Sequence, residues 1–245
     1  DIHISPHVAV MTSEIPFDIL EFQTYNNFIV APDAVVDAIK SQKNLSSKAK
    51  ILRTRGSSIP ADWNIKPKAL YDRENAALAL QASELFKVPI ETAKEVIQAF
   101  IGLKGRIELV KKVSGIEFYN DSASVVPQST LSALASLASG KNIVLIIGGA
   151  YTGYDYSKLI KNISNYVSTI ILLPGSGTIA FRADIEKLPE VEFVQVLSLE
   201  EAVGEALNHA KKGEKVLFSP GFDAVGIDIS RKERGERFVK AVRGL

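Results

Sequence analysis

The 245 residues are 46% apolar and 23% charged with a formal net charge of +1, an ordinary globular composition, and the lack of any basic or acidic block argues against a nucleic acid or a membrane surface as partner. There is no cysteine, which excludes disulfides, thiolate metal sites and a thiol nucleophile and fits a reducing, cytoplasmic setting. His3, His7 and His209 are scattered, so a histidine metal centre or a Ser-His-Asp triad is not expected, and no apolar run reaches the roughly 18 residues of a membrane span.

The chain opens on neither a signal nor a transit peptide. It lacks an initiator methionine, and 8–12 already reads as a buried strand, so it is expected to be a piece of a longer protein. Residues 13–27 are irregular and 27–31 is a second strand. Pro32-Asp33 then opens a helix to about Lys40, with proline in the first turn and an acid complementing the dipole. A polar loop to residue 50, a short strand at 50–53 and a connector at 56–68 with Pro60, Trp63 and Pro67 follow. From Asp72, a candidate cap, the pattern is helical to about Phe86; Val88-Pro89 breaks it and a second helix carries Ala93, Val96, Ile97 and Phe100 at helical spacing. Gly102 is expected to end that helix, and the stretch 102–105 to separate a domain 1–102 from a domain 103–245.

Beyond it, apolar runs at 116–120, 143–147, 169–173, 191–196 and 215–219 alternate with amphipathic helices at about 128–138, 156–166, 177–187, 199–211 and 230–243. That alternation predicts an α/β fold with a doubly wound, Rossmann-like parallel sheet. The strand ends Asn120-Asp121-Ser122, Gly148-Gly149-Ala150, Pro174-Gly175-Ser176-Gly177 and Ser219-Pro220-Gly221 would then share the ligand-binding edge of the sheet. Gly148-Gly149 would let backbone approach a ligand, and Gly175-Ser176-Gly177 is a weak phosphate-cradle signal. Asn120-Asp121-Ser122 has the composition of a ligand crevice and equally of an Asx turn with a helix cap. Neither a GxxxxGK[ST] loop nor a GxGxxG fingerprint is present, so these residues alone lack an obvious means to hold and activate a nucleoside triphosphate.

Several motifs occur in a specific order: Ser5-Pro6-His7-Val8-Ala9-Val10-Met11-Thr12, Asp72-Arg73-Glu74-Asn75-Ala76-Ala77, Leu103-Lys104-Gly105-Arg106-Ile107-Glu108, Tyr119-Asn120-Asp121-Ser122, Ile146-Ile147-Gly148-Gly149, Leu217-Phe218-Ser219-Pro220 and Glu233-Arg234-Gly235-Glu236-Arg237-Phe238. In that order the chain resembles the later part of a Mur ligase, and within that family the branch that joins D-glutamate to UDP-N-acetylmuramoyl-L-alanine. The likeness is weak over 13–68 and strong from residue 72. It implies the end of a central α/β ATPase domain followed by a C-terminal Rossmann-like domain, with the UDP-binding domain and the P-loop lying in missing N-terminal parts of a parent chain. It also implies an ATP- and Mg²⁺-dependent amide-forming ligase of peptidoglycan precursor synthesis, working through an acyl phosphate on a UDP-muramoyl substrate and an amino acid. Charge on the transferring phosphoryl group would be neutralised electrostatically.

Residue by residue, the resemblance implies nucleotide contacts for Asn75, Arg106 and Asp121, with Asp72 standing where the family's first asparagine belongs. It places Ser122, Thr152 and Ser219 along the substrate side, and assigns no metal ligand and no catalytic residue within these residues. Without the family, Asn75 reads as a helix-face amide and Arg106 as a surface arginine. The departures are several. Ala123-Ser124-Val125 replaces Lys-Ala-Thr, Thr152 replaces the lysine after the glycine pair, Ala224 stands at the serine that grips the D-glutamate carboxylate, and Arg231 stands at a phenylalanine. The metal-binding Asp-His pair is not intact around Phe17-Asp18, and the helix that would bear a carbamylated lysine is deleted between Leu20 and Phe28. A carboxylate needs fixed donors or cations, and Lys104 and Arg182 are the candidate replacement charges. A degenerate, non-catalytic homologue that binds a nucleotide or a partner is the alternative reading.

Overall fold

The computed structural model describes residues 8–10, 20, 23–41, 47–66, 69, 71–188, 191–224 and 230–245. They form two compact units, one of 1–66 with 71–101, the other of 67–70 with 102–245.

In the first unit β1 (Val8–Val10), β2 (Phe28–Pro32) and β3 (Lys50–Thr54) form a parallel sheet in that order. Helix α1 (Asp33–Ser41) buries Val35, Val36 and Ile39 against Leu20, Ile29 and Ala31. Its opposite face is polar, and Asp33 in its first turn pairs with Arg53 and Arg55, which holds the carboxyl below the ordinary carboxylate range. A 3-10 turn (Gly56–Ser58) leads to Ile59 and Trp63, which pack with Ala77 and Leu80 of α2 (Asp72–Leu85) and Ala93 of α3 (Ile90–Ala99). Tyr71, not Asp72, occupies the cap position of α2, and Asp72 lies in its first turn. Helix α3 ends at Ala99, ahead of Gly102. The expected strand positions 11 and 12 and the pair Phe17-Asp18 lie outside the described residues.

The second unit holds a six-stranded sheet rather than the five strands expected. Its strands are β4 (Glu108–Val113), β5 (Ile116–Asn120), β6 (Ile143–Ile147), β7 (Val167–Leu172), β8 (Glu192–Gln195) and β9 (Lys215–Phe218), in the order β4-β5-β9-β6-β7-β8. All neighbours are parallel except β4, which pairs antiparallel with β5. Ser114 and Gly115, at φ 52° and 85°, make the two-residue hairpin between them, since positive φ at both central positions matches the strand twist.

One face of the sheet is covered by α4 (Pro127–Leu137), α5 (Ser157–Ile163) and α6 (Ser176–Ile185), the other by α7 (Leu199–His209) and α8 (Arg231–Arg243). The split follows from crossover hand. The connections β5→β6, β6→β7 and β7→β8 run one way along the sheet and leave their helices on one side, whereas β8→β9 runs back and places α7 on the other. The five residues of β6 are fully buried, as a central parallel strand covered on both faces requires. Strand β9 enters between β5 and β6, at the reversal of strand order where open α/β sheets form their crevice.

Candidate functional site

The crevice is built from two loops clipped together. After β5 the chain turns at Asn120-Asp121-Ser122, where Ser122 N donates to Asn120 Oδ1 at 3.1 Å and Ser124 N to Asp121 O at 2.9 Å. Before β4 runs Gly105-Arg106-Ile107. Glu108 ties the two, its Oε2 accepting from Gly105 N at 2.9 Å and from Asn120 Nδ2 at 3.1 Å. A further bond runs from Ala123 N to Gly105 O at 3.0 Å.

Asp121 is 2% exposed and its carboxylate faces inward. Ile107 N donates to Oδ1 at 3.2 Å and Ser219 Oγ, at the end of β9, to Oδ2 at 2.8 Å. Thr130 Oγ1 of α4 stands 3.0 Å from the same Ser219 oxygen and donates to it while the serine proton serves Asp121. Burial pushes the Asp121 carboxyl up to about 6, against the downward pull of Ser124, Ser219, the Ile107 amide and the nearby Arg106. The carboxylate therefore joins the ends of β5 and β9 to the turn before β4.

That turn is strained. Gly105 has φ 72° and Ile107 φ 49°, a left-handed conformation that a β-branched residue adopts at a cost of about 1–2 kcal/mol. Side-chain burial of Ile107 and the Asp121 hydrogen bond hold it there. Arg106, between the two left-handed residues, is lifted out of the surface and is exposed. Its neighbourhood is tight: a Cβ at Gly105 would come 2.9 Å from Ser122 Oγ, and one at Gly235 of α8 would overlap that same oxygen.

The structure thus brings Arg106, Asp121, Ser122 and Ser219 together, with Ser122 and Ser219 buried beneath the loop surface. Thr152 is exposed, in the segment following Gly148-Gly149. Asp72 and Asn75 belong to the other unit, on α2, with Asn75 exposed. Glu108 and Gly235 stand within the sequence motifs but were given no role there, and Thr130 escaped the sequence reading, because nothing local marks their close packing. Gly175-Ser176-Gly177 is occupied by protein, since Gly177 N donates to Gly149 O at 2.9 Å and Ser176 Oγ accepts from Tyr151 N at 3.1 Å. Lys104 is exposed, and Arg182 is engaged by Glu186 at 2.7 Å and Gln195 at 2.9 Å. No three His, Asp or Glu side chains among the described residues are placed to hold a metal. No helix among them is long and apolar enough to cross a membrane.

Residues 105–222 match the family model described as Mur ligase, glutamate ligase domain. The chain is 31% identical over 197 residues to the UDP-N-acetylmuramoylalanine–D-glutamate ligase of Caldanaerobacter subterraneus subsp. tengcongensis, covering 80% of this chain and 42% of that one. It is 32% identical over 199 residues to the same-named ligase of Saccharophagus degradans, covering 81% and 43%. It spans less than half the length of these curated relatives. Among solved structures, the UDP-N-acetylmuramoylalanyl-D-glutamyl-2,6-diaminopimelate–D-alanyl-D-alanyl ligase of Acinetobacter baumannii aligns with a TM-score of 0.64 at 14% identity over 99% of this chain and 59% of that one. A bifunctional folylpolyglutamate synthase/dihydrofolate synthase of Yersinia pestis, complexed with AMPPNP and Mn ion, aligns at 0.63 and 17% over 98% and 62%. At such identities these two likenesses speak for the fold. The motif order, the matched domain and the topology agree: the chain is a Mur ligase relative that carries the family's glutamate ligase domain over residues 105–222.

Proposed function

We propose that these residues are the later part of an ATP-dependent amide-forming ligase of the MurD kind, which adds an amino acid to UDP-N-acetylmuramoyl-L-alanine. In this reading 1–102 is the end of the central ATP-binding domain and 103–245 the C-terminal domain. The observation that carries it is the presentation of Arg106. A strained turn, fixed from beneath by Asp121 and Glu108, holds one exposed guanidinium at the carboxyl edge of the sheet. Strain kept at an exposed cation is the mark of a position selected for what it binds, and a guanidinium suits phosphate oxygens. Asp121, with both oxygens bonded internally, serves as a positioning residue for the turn. Asn75 and Asp72 are assigned to the nucleotide on the resemblance, as are Ser122, Thr152 and Ser219 to the substrate side.

The described residues fit a nucleotide phosphate at Arg106. They do not supply a metal donor set, and Mg²⁺ in such sites takes most of its ligands from phosphate and water, so no step is assigned to it here. The 245 residues by themselves are expected to be inactive, because no phosphate-binding lysine loop is among them.

The test is ADP release by the longest natural form of the protein with ATP, Mg²⁺, UDP-N-acetylmuramoyl-L-alanine and a panel of amino acids including D-glutamate. Turnover with one amino acid supports the ligase and names its substrate. The second reading, a non-catalytic homologue that binds nucleotide or a partner, draws on Thr152, Ala224 and Arg231 standing where the family places lysine, serine and phenylalanine. No turnover by a folded, monodisperse protein would favour it.

A further inference from the structure

At the carboxyl ends of β6 and β9 two guanidinium groups lie near one carboxylate, and only one of them is bonded to it. Arg231, which opens α8, grips Asp223 with two charged hydrogen bonds, Nε to Oδ1 at 2.7 Å and Nη2 to Oδ2 at 2.5 Å. Asp223 Oδ1 also accepts from Ala224 N at 2.7 Å, and the backbone of Asp223 bridges to Ala150 beside the glycine pair. Arg234, one turn further along α8, is 2% exposed. Its Nη2 donates to Phe222 O at 3.1 Å, but Nε and Nη1 are buried and meet no acceptor among the described residues. Nη1 is aimed at the strand-end loop: a Cβ at Gly149 would come within 3.1 Å of it. Burial lowers the Arg234 pKa to about 10, with Asp223 opposing that shift and Arg231 adding to it.

Each charged nitrogen left buried without an acceptor is costly, so a fold that keeps two of them is incomplete as it stands. The three side chains carry one positive charge in excess. They also differ in freedom: the Arg231 side chain is 59% exposed and that of Asp223 only 10%. Arg231 can therefore turn outward, whereas Asp223 must stay and find its partner within the loop.

We infer that Asp223, Arg231 and Arg234 form a carboxylate-binding subsite that works by exchange of ion pairs. An incoming carboxylate takes the Arg231 fork, and Asp223 falls back on the open Nε and Nη1 of Arg234. One added negative charge then balances two guanidiniums against two carboxylates; a phosphate, with up to two charges, overshoots. Tyr154, 46% exposed and close to Arg231, lines the approach. The ligand is a small carboxylate, and, resting on the ligase reading, it is a carboxylate of the amino acid to be joined. Arg231 would touch it, while Asp223 and Arg234 act as positioning residues.

Calorimetric titration of the 245-residue chain with succinate and with D-glutamate tests this without ATP or turnover. Both are expected to bind, Arg231→Met to weaken binding by about tenfold or more, and Arg231→Lys to restore part of the loss. Arg234→Met is expected to weaken binding by about fivefold, because Asp223 then keeps hold of Arg231. A melting curve checks that this variant folds, which exchanging a poorly satisfied buried charge for an apolar chain permits. Adding Asp223→Asn to Arg234→Met is expected to recover the affinity, a rescue that a merely structural arginine would not give. No carboxylate binding at millimolar concentration, binding indifferent to Arg231→Met, or a loss in Arg234→Met that Asp223→Asn fails to recover would each overturn the inference. The two readings fail separately. Succinate bound through Arg231 with no ADP release for any amino acid sinks the ligase alone. D-glutamate turnover in the parent protein untouched by Arg231→Met sinks the subsite alone.

Discussion

Asp121 holds its proton late, and stability should record it. Burial raises its carboxyl from an ordinary 3.8 to about 6, so between those values the folded state binds more protons than the unfolded one. Its contribution is fully present below about pH 4 and is lost as pH rises through about 6, to the extent of about 3 kcal/mol. Urea denaturation at several pH values should show this fall, and Asp121→Asn should flatten it; a wild-type-to-variant difference constant across the window would contradict the assignment. Ser219→Ala takes a donor from the same carboxylate and should lower stability by about 1–3 kcal/mol, read in the same titration. Arg106→Met, at an exposed position, should leave stability within about 0.5 kcal/mol while weakening ADP binding about tenfold. Unchanged ADP affinity in a nucleotide-competent parent would remove Arg106 from the site. The composition of Asn120-Asp121-Ser122 announced a turn, but nothing local announced that Asp121 faces inward, because Ser219 comes 98 positions later. Nor does isoleucine advertise a left-handed backbone; its propensity points to strand, and only the packed surroundings hold Ile107 otherwise.

The parallel strands and the helices between them were legible because each apolar run is bounded by glycine, proline or polar turns and each helix buries a stripe. Helix α5 stopped sooner than its pattern suggested, at Ile163, where Ser164 and Asn165 supply the side chains that compete with helical hydrogen bonding. Strand β4 was missed for a different reason. Its Glu-Leu-Val-Lys-Lys-Val sequence lies at the sheet edge, partly wet on both faces with Leu109 51% exposed, so the alternation that marks a half-buried strand is blurred. Lysines on such an edge discourage further pairing. Helix α6 is seated by contact of another kind. Phe222 stacks on Tyr156 with ring centroids 4.6 Å apart and meets Phe181 of α6 edge-on at 5.7 Å, and the Phe222 ring fills the place of a Cβ at Gly177. Gly177→Ala should therefore push α6 from the sheet and cost about 2–4 kcal/mol, measured by denaturation. A neutral result would mean that the ring turns aside freely.

Among the described residues the two units differ in how much core each owns. The second sandwiches its sheet between two buried apolar layers, whereas the first has a small cluster under α1 and another around Trp63. Trp63 is the only tryptophan, 5% exposed, so its fluorescence reports the first unit alone. In urea that signal should change before the far-ultraviolet dichroism, which the second unit dominates; coincident transitions would show one cooperative block. The place of β9 was not readable from the sequence, since hydropathy shows that a strand exists and not which neighbours it takes. That place has a consequence for how the protein is made. The middle of the sheet is supplied by its last strand, so during synthesis β5 and β6 emerge with a gap between them and expose unpaired edges until Lys215–Phe218 has left the ribosome. A chain halted before that point holds every helix of one face and no centre, and is the species most exposed to aggregation and to quality control.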